Sequence, residues 1–121
     1  MNYLQNVAHH KADYIYENTK MKLHFHKSLW EVPCNNEQDL KTLLKRTRDD
    51  GYQGTELFLP FVEIDIDTTL KAHAEIDLNI ITGIATQGDD VQAHLKSMNT
   101  QIKRAMEFSP ILINSHTGRD I

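Results

Sequence analysis

The sequence has a single cysteine, no long apolar run and no apolar leader, and each shortage excludes a class of protein. Cys34 has no second cysteine to pair with, so a disulfide-stapled secreted fold is excluded. No apolar stretch approaches the roughly 20 residues that a membrane-spanning helix needs. Residues 1–20 are polar and lack the apolar core of a secretory signal. These absences predict a cytoplasmic protein with no membrane partner.

The chain also lacks an excess of positive charge. Its 13 Lys and Arg against 17 Asp and Glu give a net charge of -4, and both signs are interspersed. Without a basic stripe, no nucleic-acid partner is expected. With 121 residues, 40% of them hydrophobic, the chain is long enough for one core. The composition is therefore typical of a soluble metabolic protein with a small-molecule substrate.

What the sequence does contain is a regular alternation of apolar runs and helix-periodic runs. Strands are predicted at Lys22–Val32, Gly54–Pro60, Leu78–Ala85 and Ile111–Ser115. Helices are predicted at Glu37–Asp50, Asp65–Asp77 and Asp89–Phe108. This order is typical of parallel βαβ units, so we expect an α/β domain over residues 21–121 that follows an N-terminal extension, residues 1–20.

The ends of the predicted helices carry recognisable capping residues. Asn35 or Asn36 is expected to cap the first helix, and Gly51 to end it in a left-handed turn. Asp89 or Asp90 is expected to begin the third helix. Its apolar residues recur near the 3.6-residue period of an amphipathic helix: Val91, Leu95, Met98, Ile102, Ala105 and Met106.

Two architectures fit the strands, because Leu57–Leu59 and Ile111–Ile113 are continuous apolar runs that indicate burial on both faces of a parallel sheet. These are an open doubly wound sheet and a (β/α)8 barrel. A doubly wound nucleotide-binding sheet needs a glycine-rich turn after its first strand, whereas residues 30–36 contain no glycine. The pattern therefore favours the barrel.

Four stretches resemble the first four β/α units of the sugar phosphate isomerase/epimerase family, the xylose isomerase-like TIM barrels. They are Phe25–Val32 (FHKSLWEV), Gly51–Pro60 (GYQGTELFLP), Leu78–Gly88 (LNIITGIATQG) and Ile113–Asp120 (INSHTGRD). The resemblance implies the N-terminal half of a TIM barrel with about four parallel strands and flanking helices. It also implies isomerisation or epimerisation of a small sugar or polyol by proton transfer, and a divalent metal (Mn, Mg, Zn or Co) in the complete barrel.

The same resemblance implies no metal ligand in this chain. In the family the acidic and His ligands come mainly from the later strands, so we expect no metal bound by this chain alone. The alternative function is a truncated, catalytically inactive half-barrel that acts as an assembly or interaction module. Since an open parallel edge is a template for further pairing, two copies are expected to be able to pair through their exposed sheet edges.

The candidate site follows from the rule that TIM-barrel chemistry lies at the carboxyl ends of the strands. Glu56, deeper in its strand, and His116, in the loop after the last strand, are the candidate catalytic residues. The candidate substrate-binding residues lie at the other strand ends: Trp30, Glu31, Gln87 and Asn114. Structural roles remain open for Glu56, as a residue paired with a neighbouring strand, and for Trp30, as a core residue.

Two rival barrel types were weighed against the histidine positions. His24 and His26 form the His-x-His pair that begins the metal site of amidohydrolase-type barrels, but the pair starts its strand and should lie away from the carboxyl ends. A DNA-repair endonuclease of the same barrel type needs histidines at the ends of strands two and three, where this chain has none. The other histidines are expected on solvated surfaces: His9, His10, His73 and His94. Cys34 is expected to be unreactive.

Overall fold

A computed structural model describes residues 21–30, 32 and 34–117 of the chain. Its four strands are β1 (His26–Ser28), β2 (Gly54–Phe58), β3 (Asn79–Ala85) and β4 (Leu112–His116). Its three α-helices are α1 (Glu37–Asp49), α2 (Ile66–Glu75) and α3 (Val91–Glu107), and a short 3-10 helix, Leu59–Phe61, follows β2. The predicted α/β alternation is confirmed, and the predicted extension, residues 1–20, lies outside the described residues.

Each helix begins where a side chain satisfies its free backbone N–H groups. The side chains of Asn36, Asp65 and Asp90 accept hydrogen bonds from the backbone N–H groups three residues further on, at 2.9, 2.9 and 2.7 Å. Gly51, with φ of 92°, follows α1 in the left-handed conformation that glycine adopts at low cost. Local sequence therefore fixes the helix boundaries, as predicted.

The four strands form one parallel sheet in the order β1-β2-β3-β4. One row of paired residues crosses the whole sheet: Ser28, Glu56, Ile81 and Leu112. The middle residues of the four strands are Lys27, Glu56, Thr82 and Asn114. The first lies one residue before this row, the second lies in it, and the third and fourth lie one and two residues after it. The sheet is therefore staggered in one constant direction.

Alternate residues divide the sheet into two faces, since side chains in a strand point in opposite directions. The covered face carries Thr55, Leu57, Ile80, Thr82 and Ile84, all of them buried. Leu57, Ile80 and Ile84 pack with Ala105 and Phe108 at the end of α3. A second core cluster joins α1 to α2 and the chain before β3: Leu40, Leu44, Ala72 and Leu78.

His73 belongs to the covered face, so the prediction that it lies on a solvated surface was wrong. Its side chain is 2% exposed, and its Nδ1 donates to the Thr69 carbonyl at 2.7 Å. With that tautomer, Nε2 accepts from the Thr55 hydroxyl at 2.8 Å. Burial lowers the pKa of His73 below its usual value, which the bond to Thr69 offsets in part. His94 is half-buried and bonded to Thr86, also unlike the prediction.

The opposite side of the sheet, which we call the open face, carries Ser28, Glu56, Phe58, Ile81, Gly83, Asn114 and His116. Most of these side chains are half-buried or exposed, and Leu112, on the same face, is 54% exposed. Strands β1 and β4 are separated by three inter-strand spacings, about 14 Å in a flat sheet. The rings of Trp30 and His116, from the ends of those strands, are nevertheless only 5.8 Å apart. These two side chains therefore lean towards each other over the open face.

Exposed apolar side chains concentrate at the two edges of the sheet. Met21, Leu23 and Phe25 precede β1, and Phe25 is 62% exposed. Beside β4, most of the apolar stripe of α3 is also exposed. Ala105 is buried and Met98 half-buried, and the exposed members are Val91, Leu95, Ile102 and Met106. Within the described residues, no helix is long and apolar enough to cross a membrane.

Candidate functional site

An aromatic cluster lies at the carboxyl ends of β1, β2 and β4. The Trp30 ring is 4.4 Å from Phe58 and 6.1 Å from Phe61, measured between centroids. The His116 ring completes the cluster at 5.8 Å from Trp30 and 6.0 Å from Phe58. Offset and edge-on contacts at these separations are favourable. The sheet therefore gathers side chains from both of its edges into one wall at the expected end.

Gly83 explains how these side chains meet across the middle of the sheet. A Cβ atom on Gly83 would lie 3.0 Å from Phe58 Cδ2 and 3.7 Å from Glu56 Oε1. The side chains of Phe58 and Glu56 thus lean over the space that a larger residue on β3 would fill. Glycine on the central strand allows β2 and β4 to make contact above it.

Glu56 and Asn114 make that contact through a hydrogen bond. Asn114 Nδ2 donates to Glu56 Oε2 at 3.4 Å, across the intervening strand β3. Glu56 is at the middle of β2 and half-buried, as expected for a residue deeper than the strand ends. Its other oxygen, Oε1, is the atom above Gly83. A carboxylate held in this way keeps one oxygen available on the open face.

The sequence predicts His116 in the loop after the last strand, but in the structure it is the last residue of β4. Its carbonyl accepts from the backbone N–H of Thr86 at 3.1 Å, which ties the end of β4 to the end of β3. Its imidazole is exposed and lies against the aromatic wall. The backbone is therefore fixed while the ring nitrogens remain reachable from solvent.

The other two predicted substrate-binding residues are not part of this arrangement. Gln87 lies two residues beyond β3, where its backbone N–H donates to Ser97 Oγ at 3.1 Å and its side chain is exposed. Glu31 is the other predicted substrate-binding residue, and it lies outside the described part of the chain. Of the six predicted site residues, the structure brings together Trp30, Glu56, Asn114 and His116.

A mostly apolar cavity of about 440 Å³ lies between the chain after β1 and the chain after β2. Trp30, Phe58 and Phe61 form its side nearest the open face, and Leu40 and Thr69 reach it from the helices. Within the described residues, the Trp30 Nε1 atom is buried without a hydrogen-bond partner. A buried indole N–H normally has a partner, so Trp30 brings a donor with unused capacity to this region.

Cys34 and His26 are not members of the aromatic cluster, and His26 lies at the end of β1 where the sequence predicts it. Cys34 is half-buried, and burial, assisted by Asp39, raises the pKa of its thiol and disfavours the nucleophilic thiolate. His26 is the first residue of β1, so the pair with His24 lies at the opposite end of the strand from Trp30. Burial first, and His24 second, lower the pKa of His26. Neither residue joins the candidate site.

The donor set was tested for a fit to the divalent metal that the family resemblance implies. In residues 21–30, 32 and 34–117, no three His, Cys, Asp or Glu side chains come together as a group that could hold a metal ion. Glu56 and His116 are two metal-ligating residue types on the open face. Their neighbours there are the Asn114 amide and aromatic rings such as that of Trp30. The described residues therefore do not fit a metal, and no step below uses one.

Two residues of the site, Phe58 and Phe61, were missed by the sequence analysis. Phe58 could have been found, because it follows Glu56 by two residues in a strand and must point to the same face. Phe61 could not, because its position depends on the 3-10 helix that follows β2. The aromatic wall is therefore larger than the single residue Trp30 suggested.

Comparisons with known proteins do not place this chain in a family. No family model matches it, and no match was found among curated proteins or among solved structures.

Proposed function

We propose that this chain is one half of a TIM-type barrel that isomerises or epimerises a small sugar or polyol by proton transfer at its open face. The observation that carries the proposal is the convergence of Glu56, Asn114 and His116 beside an aromatic wall at the carboxyl ends of the strands. Carboxyl ends are where barrels of this type carry out chemistry.

The stagger of the sheet supports the barrel part of this proposal. An advance of one residue per strand gives about eight residues over eight strands, which is the shear of a TIM barrel. From β2 to β4 the middle of the strand moves two residues along the chain relative to the hydrogen-bonded row. Glu56 and Asn114 therefore lie at the same height along the axis of the proposed barrel, and so do Phe58 and His116. Alternate strands of a TIM barrel contribute to one interior layer in this way. The observed contacts join these two level pairs.

Strand order and helix placement also favour a barrel over a doubly wound sheet. A doubly wound sheet reverses its strand order at a switch point and carries helices on both faces. This sheet runs β1-β2-β3-β4 without reversal, and the helices of the described residues make their sheet contacts on the covered face. A parallel sheet whose helices cover one face only is the arrangement of a barrel wall.

The proposed chemistry needs a base, an acid and a carbonyl-bearing substrate. The Glu56 carboxylate takes the proton from the carbon next to the carbonyl, and the electron pair of that C–H bond forms the double bond of an enediol. The protonated His116 imidazole gives a proton to the carbonyl oxygen, which becomes a hydroxyl. In an isomerisation, Glu56 returns its proton to the former carbonyl carbon while the neutral His116 imidazole takes the proton of the neighbouring hydroxyl, whose oxygen becomes the new carbonyl. In an epimerisation, water protonates the original carbon from the opposite face, His116 takes back the proton of the hydroxyl that it made, and Glu56 releases its own proton to solvent. No oxidant or reductant is consumed.

The neighbours of Glu56 and His116 suit a sugar or polyol. The flat faces of Trp30 and Phe58 pack against C–H groups, and the buried indole N–H is a spare donor for a hydroxyl. Asn114 holds the carboxylate and offers its amide oxygen to a second hydroxyl. A small ligand that is apolar on one side and rich in hydroxyls on the other matches this surface.

The test is solvent exchange at carbon. The purified chain is incubated with a panel of aldoses and ketoses in deuterated water, and deuterium at the carbon next to the carbonyl is followed by NMR. We expect exchange in the native chain, and a loss of about 100-fold or more for Glu56→Gln and for His116→Gln. Glu107→Gln, at the far end of α3, removes an exposed carboxylate away from the site and should exchange within about twofold of native.

If Glu56→Gln exchanges as fast as the native chain, the proposed base is wrong. If no sugar exchanges at all, the alternative function is preferred, namely an inactive half-barrel that serves as an assembly or interaction module. A specific observation favours that alternative: the apolar side chains exposed at both edges of the sheet, such as Phe25 and Leu112.

A further inference from the structure

We infer that the open face is closed by a second copy of this chain, with β4 of each copy pairing in parallel with β1 of the other to form an eight-stranded barrel. The inference concerns the geometry of the sheet, so it holds whether or not the substrate is a sugar. It goes beyond the proposed function because it names the partner, the strands that meet and their register.

The two edges of the sheet are complementary to each other. β1 has β2 on one side and β4 has β3 on one side, which leaves one unpaired edge on each within the described sheet. All strands are parallel, so the free edge of β4 can accept a strand that runs in the direction of β1. A two-fold axis along the barrel places each edge against its complement and forms two identical seams. Such an arrangement closes and leaves no free edge.

The constant stagger fixes the register of that seam. If the stagger of one residue per strand continues past β4, the middle residue of the strand that pairs with β4 lies opposite Ser115. Ser115 is the residue after the middle of β4. The midpoint of β1 is Lys27, so Lys27 of the second copy pairs with Ser115. His26 and Ser28 then pair with Asn114 and His116. All four of these side chains point to the open face, so the register preserves the division between inside and outside.

The side chains that would meet at each seam are compatible. Lys27 faces a serine, and Ser28 brings a hydroxyl beside the exposed imidazole of His116. No pair in this register opposes two carboxylates or two lysines. Like charges opposite each other in neighbouring strands would be destabilising, and this seam avoids them.

Closure would bury apolar side chains that one copy leaves exposed. Leu112 on the open face and Phe25 at the β1 edge are 54% and 62% exposed. A standard interface buries about 800 Å² per partner, which is the area that the proposed dimer needs. Parallel sheets are normally buried on both faces, which a second copy would achieve here.

Closure also completes the candidate site. Glu56 and Asn114 lie level with each other, so the second copy would add another glutamate and another asparagine to the same interior layer. His116 and Phe58 would be duplicated in the same way two layers nearer the strand ends, with the layer of Gly83 between. The open face of one copy is solvated, whereas the same residues in the dimer would face a closed interior.

The register is tested by disulfide cross-linking of the full chain. In a Cys34→Ser background, Lys27→Cys with Ser115→Cys should form a covalent dimer under mild oxidation, because paired residues of neighbouring strands are about 5 Å apart. The control pair is Lys27→Cys with Thr117→Cys, which is shifted by two residues and roughly 8 Å apart, beyond disulfide reach. A species of twice 14.0 kDa on a non-reducing gel, from the first pair only, is the expected result.

Equal cross-linking by the control pair would overturn the register, and a ladder of trimers and tetramers would overturn closure. A second variant guards against a cysteine that disturbs folding. Leu112→Glu places a charge inside the closed barrel but on the surface of a single copy, so it should raise the dimer dissociation constant by about 100-fold or more while the chain stays folded. Ala74→Glu, at an exposed position of α2 between β2 and β3 and away from both edges of the sheet, is the control and should leave dimerisation unchanged.

An inability to bind or isomerise sugars in the solvent exchange assay, with the cross-link intact, would refute the proposed function and leave the barrel inference standing. The absence of any cross-link in a folded chain, or dimerisation of Leu112→Glu like that of the native chain, would refute the barrel inference.

Discussion

The covered face and the open face of this sheet belong to the same four strands and differ in almost every other respect. The covered face is closed by helices and includes Ile84 at 0% exposure. Its buried polar group, His73, is bonded on both ring nitrogens. The open face holds half-buried or exposed polar and aromatic side chains. The comparison teaches that one face supplies the stability of the isolated chain and that the other holds the candidate chemistry.

The largest expected effect comes from removing a core side chain on the covered face. Ile84→Ala should lower the free energy of unfolding by about 2–5 kcal/mol, at any protein concentration, because it leaves a cavity between the sheet and α3. Leu112→Ala on the open face should cost less than about 0.5 kcal/mol in dilute solution. Chemical denaturation of both variants at low and high protein concentration checks the contrast. Equal costs in dilute solution would contradict the division between the faces.

The next effect concerns the charge on the open face. In the closed dimer two Glu56 carboxylates would share one interior layer, and their repulsion opposes association. Glu56→Gln should therefore tighten the dimer by roughly tenfold, about 1.4 kcal/mol, while it abolishes proton transfer. Sedimentation and the solvent exchange assay on the same variant check the two effects separately. Weaker dimerisation of Glu56→Gln would show that the carboxylate stabilises the interface.

A smaller effect is expected from closing the space above Gly83. Gly83→Ala brings a methyl group to 3.0 Å from Phe58, so the ring must shift away from β3, which alters its contacts with Trp30 and His116. We expect a loss of stability of about 1 kcal/mol or less and a several-fold weaker binding of any sugar identified in the exchange assay. Quenching of Trp30 fluorescence, the signal of the only tryptophan in the chain, reports the shift directly. An unchanged fluorescence spectrum with unchanged binding would refute the role of Gly83.

The smallest effect is a pH dependence that belongs to the covered face. Burial lowers the pKa of His73, so below its usual value of about 6.5 the unfolded chain binds a proton that the folded chain excludes. The stability is complete above that pH and falls as the pH falls through it. His26, whose pKa is also lowered, adds an effect of the same sign. Denaturation curves between about pH 8 and pH 5 should show the decline.

The double variant Thr55→Val with His73→Leu removes both side chains of the buried pair. Its stability should decline less over the same pH range than that of the native chain, with the remaining decline due to groups such as His26. If the double variant shows the native pH dependence, His73 is not its source.

The sequence predicts the parts of the fold that depend on local interactions. Asn36, Asp65 and Asp90 cap their helices through bonds to residues only three positions away, so their pattern is readable from the sequence. The strand positions are also predicted, except that β1 is shorter than the apolar run around it. β1 pairs on one side only, and its pairing with β2 covers His26–Ser28.

The features that the sequence could not predict depend on contacts between distant segments. His73 is buried against Thr55, a partner 18 residues away that the local sequence does not reveal, and only its bond to Thr69 lies within the same helix. The exposed stripe of α3 has the period of a buried helix face, but periodicity does not show whether another element covers it. The contact of Glu56 with Asn114 needs Gly83 between them, which only the register of three strands reveals.

The most direct test of the account is the mass of the full chain in solution, measured by sedimentation equilibrium from about 1 to 100 µM. The account predicts a reversible and closed dimer of twice 14.0 kDa that does not grow further as the concentration rises. A folded monomer at the highest concentration, or a continuous rise to larger assemblies, would contradict the claim that the open face is the interior of a barrel closed by a second copy.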